Sequence, residues 1–304
     1  MNRRHLMHTA FAGALVADLA AGVAAPAAAR AAIRRRPEMI RADDGASLAY
    51  TEWGKGPPVV FVHAWALPSA MWQAQVAALS QQGLRCVSFD RRGHGRSPDP
   101  GRGYDMDTLA GDLASVLDQL DLTGVTLVGH SMGGAEVIRY LARRGGGRVK
   151  KAVLLAPAAP YLTQTADNAF GLPAAVHEQV RGLWTKDFPK WVSDNAPGFY
   201  TPATSPETVA YGVRMMLACP LPVALACNRA LTATDLRGDC ARINIPTLVV
   251  HGDADQSAPL EMTGRRVAAL IPGARLEVVP GAPHGLFTTH AEAVNAAILK
   301  AARA

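Results

Sequence analysis

The chain has 304 residues, about half of them apolar and 18% charged, which is enough for one large core and too apolar for a disordered chain. Its formal net charge of +6 sits at the start: residues 1–36 hold six arginines and one acid, and removing these from 31 basic and 25 acidic residues leaves 25 against 24. The body therefore offers no electrostatic case for a nucleic-acid partner or an anionic surface.

In chain order, Arg3 and Arg4 precede an Ala-rich run from Ala10 to Ala28 that is broken by Asp18 and Gly22. Small residues Ala27 and Ala29 follow, suited to cleavage before the mature chain begins near Arg30. The run is too weakly apolar for a stable membrane anchor. NRRHLM resembles a twin-arginine export signal, so residues 1–30 are expected to be removed and the mature protein to be periplasmic or secreted.

From about residue 38, short β-branched runs alternate with helix-length amphipathic segments. The runs at 57–64, 85–90, 125–130, 151–156, 247–252 and 274–281 end in Gly, Asp, His or Pro and read as buried strands of a mostly parallel sheet. Helices are predicted over 71–82, 106–120, 135–144, 262–271 and 291–302. This alternation predicts an α/β fold, a sheet wound on both faces. The rhythm pauses over 157–242, which is helical, proline-punctuated and aromatic, and resumes at Ile245. The expected organisation is thus a first core part (31–156), an inserted helical lid (157–242) and a second core part (243–304). Cys86, Cys219, Cys227 and Cys240 show no CxxC spacing, which speaks against structural zinc; in an exported protein, Cys219 and Cys227 are the nearest candidates for a disulfide.

Chemistry concentrates in LVGHSMGGAEV, where Ser131 stands between a strand and a helix in the pattern Gly129-x-Ser131-x-Gly133. A turn this sharp needs small residues two positions to either side, and it lifts the hydroxyl above the strand end. A serine hydroxyl is a weak nucleophile, so it needs a base, and the base needs an acid behind it. His284 is the expected base, in the Gly/Pro-rich loop after the last strand; His94, His130, His177, His251 and His290 lack that order and loop position. The acid lies in HGDADQSAP, where spacing leaves Asp253 and Asp255 both open; an ordinary role for Asp253 would be bonding to its own loop backbone. Two backbone N–H groups should hold the oxyanion, from Met132 after the nucleophile and from Trp65 in the loop after the first parallel strand.

Five segments then fall in register: FDRRGHGRS (89–97), GHSMGGAEVIRYLARR (129–144), VSDNAPGFY (192–200), VVHGDADQ (249–256) and APHGLFTTHAE (282–292). In order and spacing they resemble the α/β-hydrolase superfamily, and within it the cofactor-free haloperoxidase and arylesterase group, from about residue 39 to the C-terminus. The resemblance implies an α/β-hydrolase fold with a helical lid. It places the acid at Asp255, four residues before Pro259, and the oxyanion amides at Trp65 and Met132. It implies no metal or organic cofactor. Two positions depart from the pattern. Ala64 stands where the family loop His-Gly-Trp has glycine, a strain if that residue needs positive φ. Ala66 stands where peracid-forming members commonly carry proline.

The expected function is therefore serine hydrolysis of a small carboxylic ester or lactone through an acyl-enzyme. Ala66, Leu67, Phe170, Trp184 and Leu286 are expected to line the pocket. Perhydrolysis with halide oxidation, or carbon–carbon bond hydrolysis, would use the same triad; a lid-gated binding protein with a decayed site is the non-enzymatic alternative. Asp90 and the arginines after it read as loop-tying groups rather than substrate ligands.

Overall fold

A computed structural model describes residues 36–145 and 147–304; the segment read as an export signal, 1–30, lies outside them. Strands β1 (Ile40–Arg41) and β2 (Ser47–Leu48) form a small antiparallel ladder. Seven more form the central sheet: β3 (Tyr50–Trp53), β4 (Pro58–Val62), β5 (Arg85–Phe89), β6 (Val125–His130), β7 (Val149–Leu155), β8 (Thr247–Gly252) and β9 (Arg275–Val279). Their order is β3-β5-β4-β6-β7-β8-β9, with β3 antiparallel to β5 and every other pairing parallel.

Both faces of this sheet are covered, which is why its inner strands read as unbroken apolar runs rather than as alternating patterns. Val59, Phe61, Val128, Val153 and Val250 pack into one layer with Leu79 of α1 (Gln73–Gln81), Phe287 of the short α9 (Leu286–Thr289) and Val294 and Ile298 of α10 (Ala291–Arg303). Val60, Val62, Leu127, Leu154 and Val249 face the other layer, formed by α2 (Met106–Gln119), α3 (Met132–Arg143) and α8 (Gly264–Leu270). The six strands predicted from sequence are present; β1, β2 and β3 were not foreseen, being short and, in β3, only half-buried.

Between β7 and β8 come α4 (Ala174–Phe199), α5 (Pro206–Leu217), α6 (Leu221–Ala233) and the short α7 (Arg237–Cys240). Local chemistry sets their boundaries. Helix α4 is two segments meeting at Asp187, whose non-helical backbone and side chain, accepting Lys190 N–H at 2.9 Å, restart the helix before Pro189. Ser205 caps α5 by accepting Thr208 N–H at 3.2 Å, with Pro206 opening the helix. Trp184, Phe188, Val223 and Leu231 bury into the same core as the α2/α3 layer. All four cysteines are buried free thiols, so the Cys219–Cys227 disulfide is not present.

Candidate active site

The loops that follow β4, β6, β8 and β9 meet at the C-terminal edge of the sheet, beside the point where the chain reverses its strand order at β4. Ser131 follows β6 directly with φ 54° and ψ −118°, a conformation that L-residues rarely adopt. The flanking glycines let the chain hold it there. A Cβ on Gly133 would lie 2.3 Å from Val62 O at the end of β4, and one on Gly129 would lie 2.5 Å from Gly133 O. The motif thus reflects backbone packed on backbone, between the α3 start and the neighbouring strand.

His284 Nε2 lies 3.0 Å from Ser131 Oγ, and His284 Nδ1 lies 2.6 Å from Asp255 Oδ2. A carboxylate only accepts, so Nδ1 carries the proton and Nε2 presents its lone pair to the serine. Asp255 is held on every side. Its Oδ1 accepts the amides of Ser257 and Ala258 at 2.9 and 2.8 Å, and its Oδ2 also accepts His251 Nε2–H at 3.1 Å. Burial pushes this carboxyl up, but its electrostatic attraction for the His284 ring and the hydrogen bonds from His251, His284 and Ala258 outweigh it and leave the group well below the usual carboxylate range. Asp253, the other candidate left open by spacing, is exposed and accepts Gly281 N–H at 2.6 Å; it ties two loops together and does not meet His284.

His130 Nε2 donates to His284 O at 2.8 Å, fixing the loop that carries His284. Burial and the neighbouring His284 keep its pKa well below the ordinary histidine value, so it stays neutral. Met132 opens α3, where an amide has no carbonyl four residues back, and Trp65 leaves the end of the β4 loop. Neither N–H is taken by a protein acceptor among the described residues. Ala64 is not at positive φ; the residue that is, at 56°, is Ala66. The strain anticipated for the oxyanion loop therefore falls two residues later than expected.

A second buried cluster holds that loop. Arg91, sealed from solvent at the end of β5, donates through Nη2 to His63 O at 2.8 Å and through Nη1 to Ala64 O at 3.3 Å, while its backbone N–H donates to His63 Nε2 at 2.8 Å. Its charge is matched by Glu136 of α3, which accepts Arg91 Nε–H at 2.6 Å. Asp90 accepts the amide of Ser69 at 2.7 Å and Arg96 Nε–H at 3.2 Å, and Arg92 pairs with Asp112 and Asp44. None of Asp90, Arg91, Arg92 and Arg96 lines the cavity, in keeping with the loop-tying role read from FDRRGHGRS.

Ser131 and His284 open on a cavity of about 310 Å³ walled mainly by apolar side chains, with Leu67, Phe170 and Trp184 among them as expected. Ala66 and Leu286 do not line it. Both are wholly buried: Ala66 turns into the core because of its left-handed backbone, and Leu286 packs with Phe287 in the α1/α10 layer. Trp65 was placed in the sequence only as an amide donor, yet its ring lines the wall, stacked on Trp184 with ring centres 4.5 Å apart, and its indole N–H donates to Ala224 O of α6 at 2.8 Å. Glu136, His130 and His251 carried no spacing signal for these roles, because each acts through a contact made by distant segments.

Comparison with known proteins agrees with this fold. Residues 59–297 match the model of the alpha/beta hydrolase family. A non-heme chloroperoxidase from Kitasatospora aureofaciens is 41% identical over 80% of this chain and 90% of its own. A bromoperoxidase from Bacillus anthracis (35% identity, TM-score 0.84) and an esterase from Exiguobacterium antarcticum (30% identity, TM-score 0.84) each superpose over 88% of this chain and 99% of theirs. The chain belongs to the α/β hydrolase family, in its haloperoxidase and esterase group.

Proposed function

We propose that this protein is a serine hydrolase that cleaves small carboxylic esters or lactones through an acyl-enzyme. The observation that carries the reading is the continuous relay from Asp255 through His284 to Ser131, opening on an apolar cavity. Ser131 Oγ attacks the carbonyl carbon as His284 Nε2 takes its proton, and Asp255 stabilises the imidazolium that forms. The amides of Trp65 and Met132 donate to the oxyanion. His284 then returns the proton to the leaving oxygen, and water activated by the same nitrogen releases the acid. The test is turnover of short-chain 4-nitrophenyl esters and lactones, with intact-protein mass measured during the reaction. One acyl adduct mapping to Ser131 is the expected result; turnover without it, or an adduct elsewhere, overturns the mechanism.

The relatives called chloroperoxidase and bromoperoxidase favour a second reading, in which peroxide intercepts the acyl-enzyme and the peracid oxidises halide. Against it stands Ala66 at φ 56°, a value closed to proline, so this loop follows a path unavailable to members carrying proline there. Hydrolysis is therefore the main reaction in our reading. The decayed binding site loses its support, since Ala64 lies outside the left-handed region.

We also propose that residues 1–30 direct export to the periplasm or medium, on the strength of the paired arginines and the small residues before Arg30. N-terminal sequencing of protein secreted by a bacterial host should begin near Arg30; full-length protein confined to the cytoplasm would refute it.

A further inference from the structure

The lid wall of the same cavity carries a polar cluster that the hydrolytic chemistry does not use. Arg181 of α4 is buried, and its Nη1 donates to Asn228 Oδ1 at 2.7 Å and to Thr232 Oγ1 at 3.3 Å. Its Nε and Nη2 donate to the two carboxylate oxygens of Glu178 at 3.3 and 2.7 Å. The Thr232 hydroxyl passes its own proton to Asn228 O at 3.0 Å, so that group is satisfied.

Asn228 is the exception. A guanidinium has donors only, so the side-chain amide must turn its oxygen to Arg181, and its NH₂ points elsewhere. No protein acceptor takes that NH₂ among the described hydrogen bonds, it is not one of the sealed unpartnered atoms, and Asn228 lines the cavity. Ala224, whose carbonyl receives the Trp65 indole, lies one turn earlier on α6. The free donor therefore stands roughly 6 Å along the wall from the place where the oxyanion loop touches the lid.

Resting on the hydrolase reading, we propose that Asn228 is a specificity residue. Its Nδ2–H donates to a neutral oxygen, a ketone, ether or second ester carbonyl, that the substrate carries away from the scissile bond. Arg181 behind the amide polarises it and strengthens the donor. The partner is neutral because Glu178 already matches Arg181: an anion at Asn228 would shed its hydration and gain no unpaired charge from the guanidinium behind the amide. His177 nearby adds no charge, since its Nε2–H donates to Leu162 O and burial lowers its pKa.

The test compares 4-nitrophenyl hexanoate with its 3-, 4- and 5-oxo analogues on wild type, N228L and N228D. A keto group changes intrinsic reactivity, so the quantity read is the kcat/KM ratio of oxo over plain ester in wild type, divided by the same ratio in each variant. At one or more oxo positions it should reach about 3- to 10-fold against N228L, the contribution of one neutral hydrogen bond. It should be larger against N228D, whose carboxylate keeps the Arg181 bond and turns an acceptor toward an acceptor. Ratios equal within twofold at every position overturn the proposal, and the near-isosteric N228D carries the test alone if N228L does not fold. If wild type turns over none of these esters, the hydrolase reading has failed separately. Calorimetric binding of methyl hexanoate and methyl 5-oxohexanoate then decides: a preference for the oxo ester lost in N228L upholds the recognition, and equal affinities overturn it.

Discussion

Substituting alanine for Ser131 should lower kcat on short-chain 4-nitrophenyl esters by about 10⁶-fold, leaving a residual acceleration of roughly 10³-fold over water. The loss is that large because serine, histidine and aspartate act as one unit: without Oγ, His284 has no nucleophile to activate. KM should change little, since the cavity walls that hold the acyl chain are untouched. Replacing Asp255 by asparagine should cost about 10⁴-fold, because an amide in that place donates toward His284 Nδ1 and selects the wrong tautomer. Asp253→Asn is the matched control. Its exposed side chain only accepts Gly281 N–H, and a few-fold effect is expected. Steady-state kinetics on the three proteins decides the assignment, and equal losses in D253N and D255N would overturn it.

Glu136→Leu should destabilise the fold by about 3–5 kcal/mol, the cost of leaving a buried charge without its partner. The side chains beside Arg91 cannot replace the carboxylate. His63 is kept neutral by burial and by Arg91 itself, and His94 is pushed down to about 3 by the same causes. The unfolding free energy from urea titration measures the cost. The milder Glu136→Gln keeps an acceptor and isolates the charge. Burial pushes the Glu136 carboxyl up to about 7, against the pull of Arg91. The folded state then binds more protons than the unfolded chain between the ordinary glutamate value and about 7. This contribution to stability is complete below that window and is lost as pH rises through it, so wild type should lose stability relative to E136Q over that range. A flat difference between the two proteins would place the carboxyl at its ordinary pKa. Because Arg91 grips His63 O and Ala64 O, E136L should also lose turnover in whatever fraction remains folded.

Much of the sheet was readable because burial on both faces leaves apolar runs closed by turn residues, and Val125–Arg143 shows strand, elbow and helix in one stretch. His284 was readable from its loop, and the structure sets it between Ser131 and Asp255. The choice between Asp253 and Asp255 was not readable, because both lie in one loop after β8; what separates them is the meeting of that loop with Gly281 and with His284, a tertiary fact. The edge strand Tyr50–Trp53 escaped notice for want of a buried face. Ala66 and Leu286 were misread for a related reason: proximity to Trp65 and His284 in sequence says nothing about which way a side chain turns, and here both turn inward. Asn228 gave no signal either, since a lone asparagine on a helix acquires a direction only from the arginine that claims its oxygen.

The bond from the Trp65 indole to Ala224 joins the oxyanion loop to the roof above it, and Trp184 stacked on the same ring makes a second tie. Swinging the roof away would break a hydrogen bond and an aromatic pair, each worth about 0.5–1.5 kcal/mol, and would drag on Trp65, the residue proposed to offer its amide to the oxyanion. Opening and chemistry thus compete for one side chain. Away from that joint, Phe170 lines the cavity and is 52% exposed, with Arg266 4.4 Å from its ring centre, so one wall residue reaches solvent without the roof moving. A roof tied to the loop after β4 in two places holds the cavity in one shape, and that shape, rather than a closing motion, is what a ligand meets.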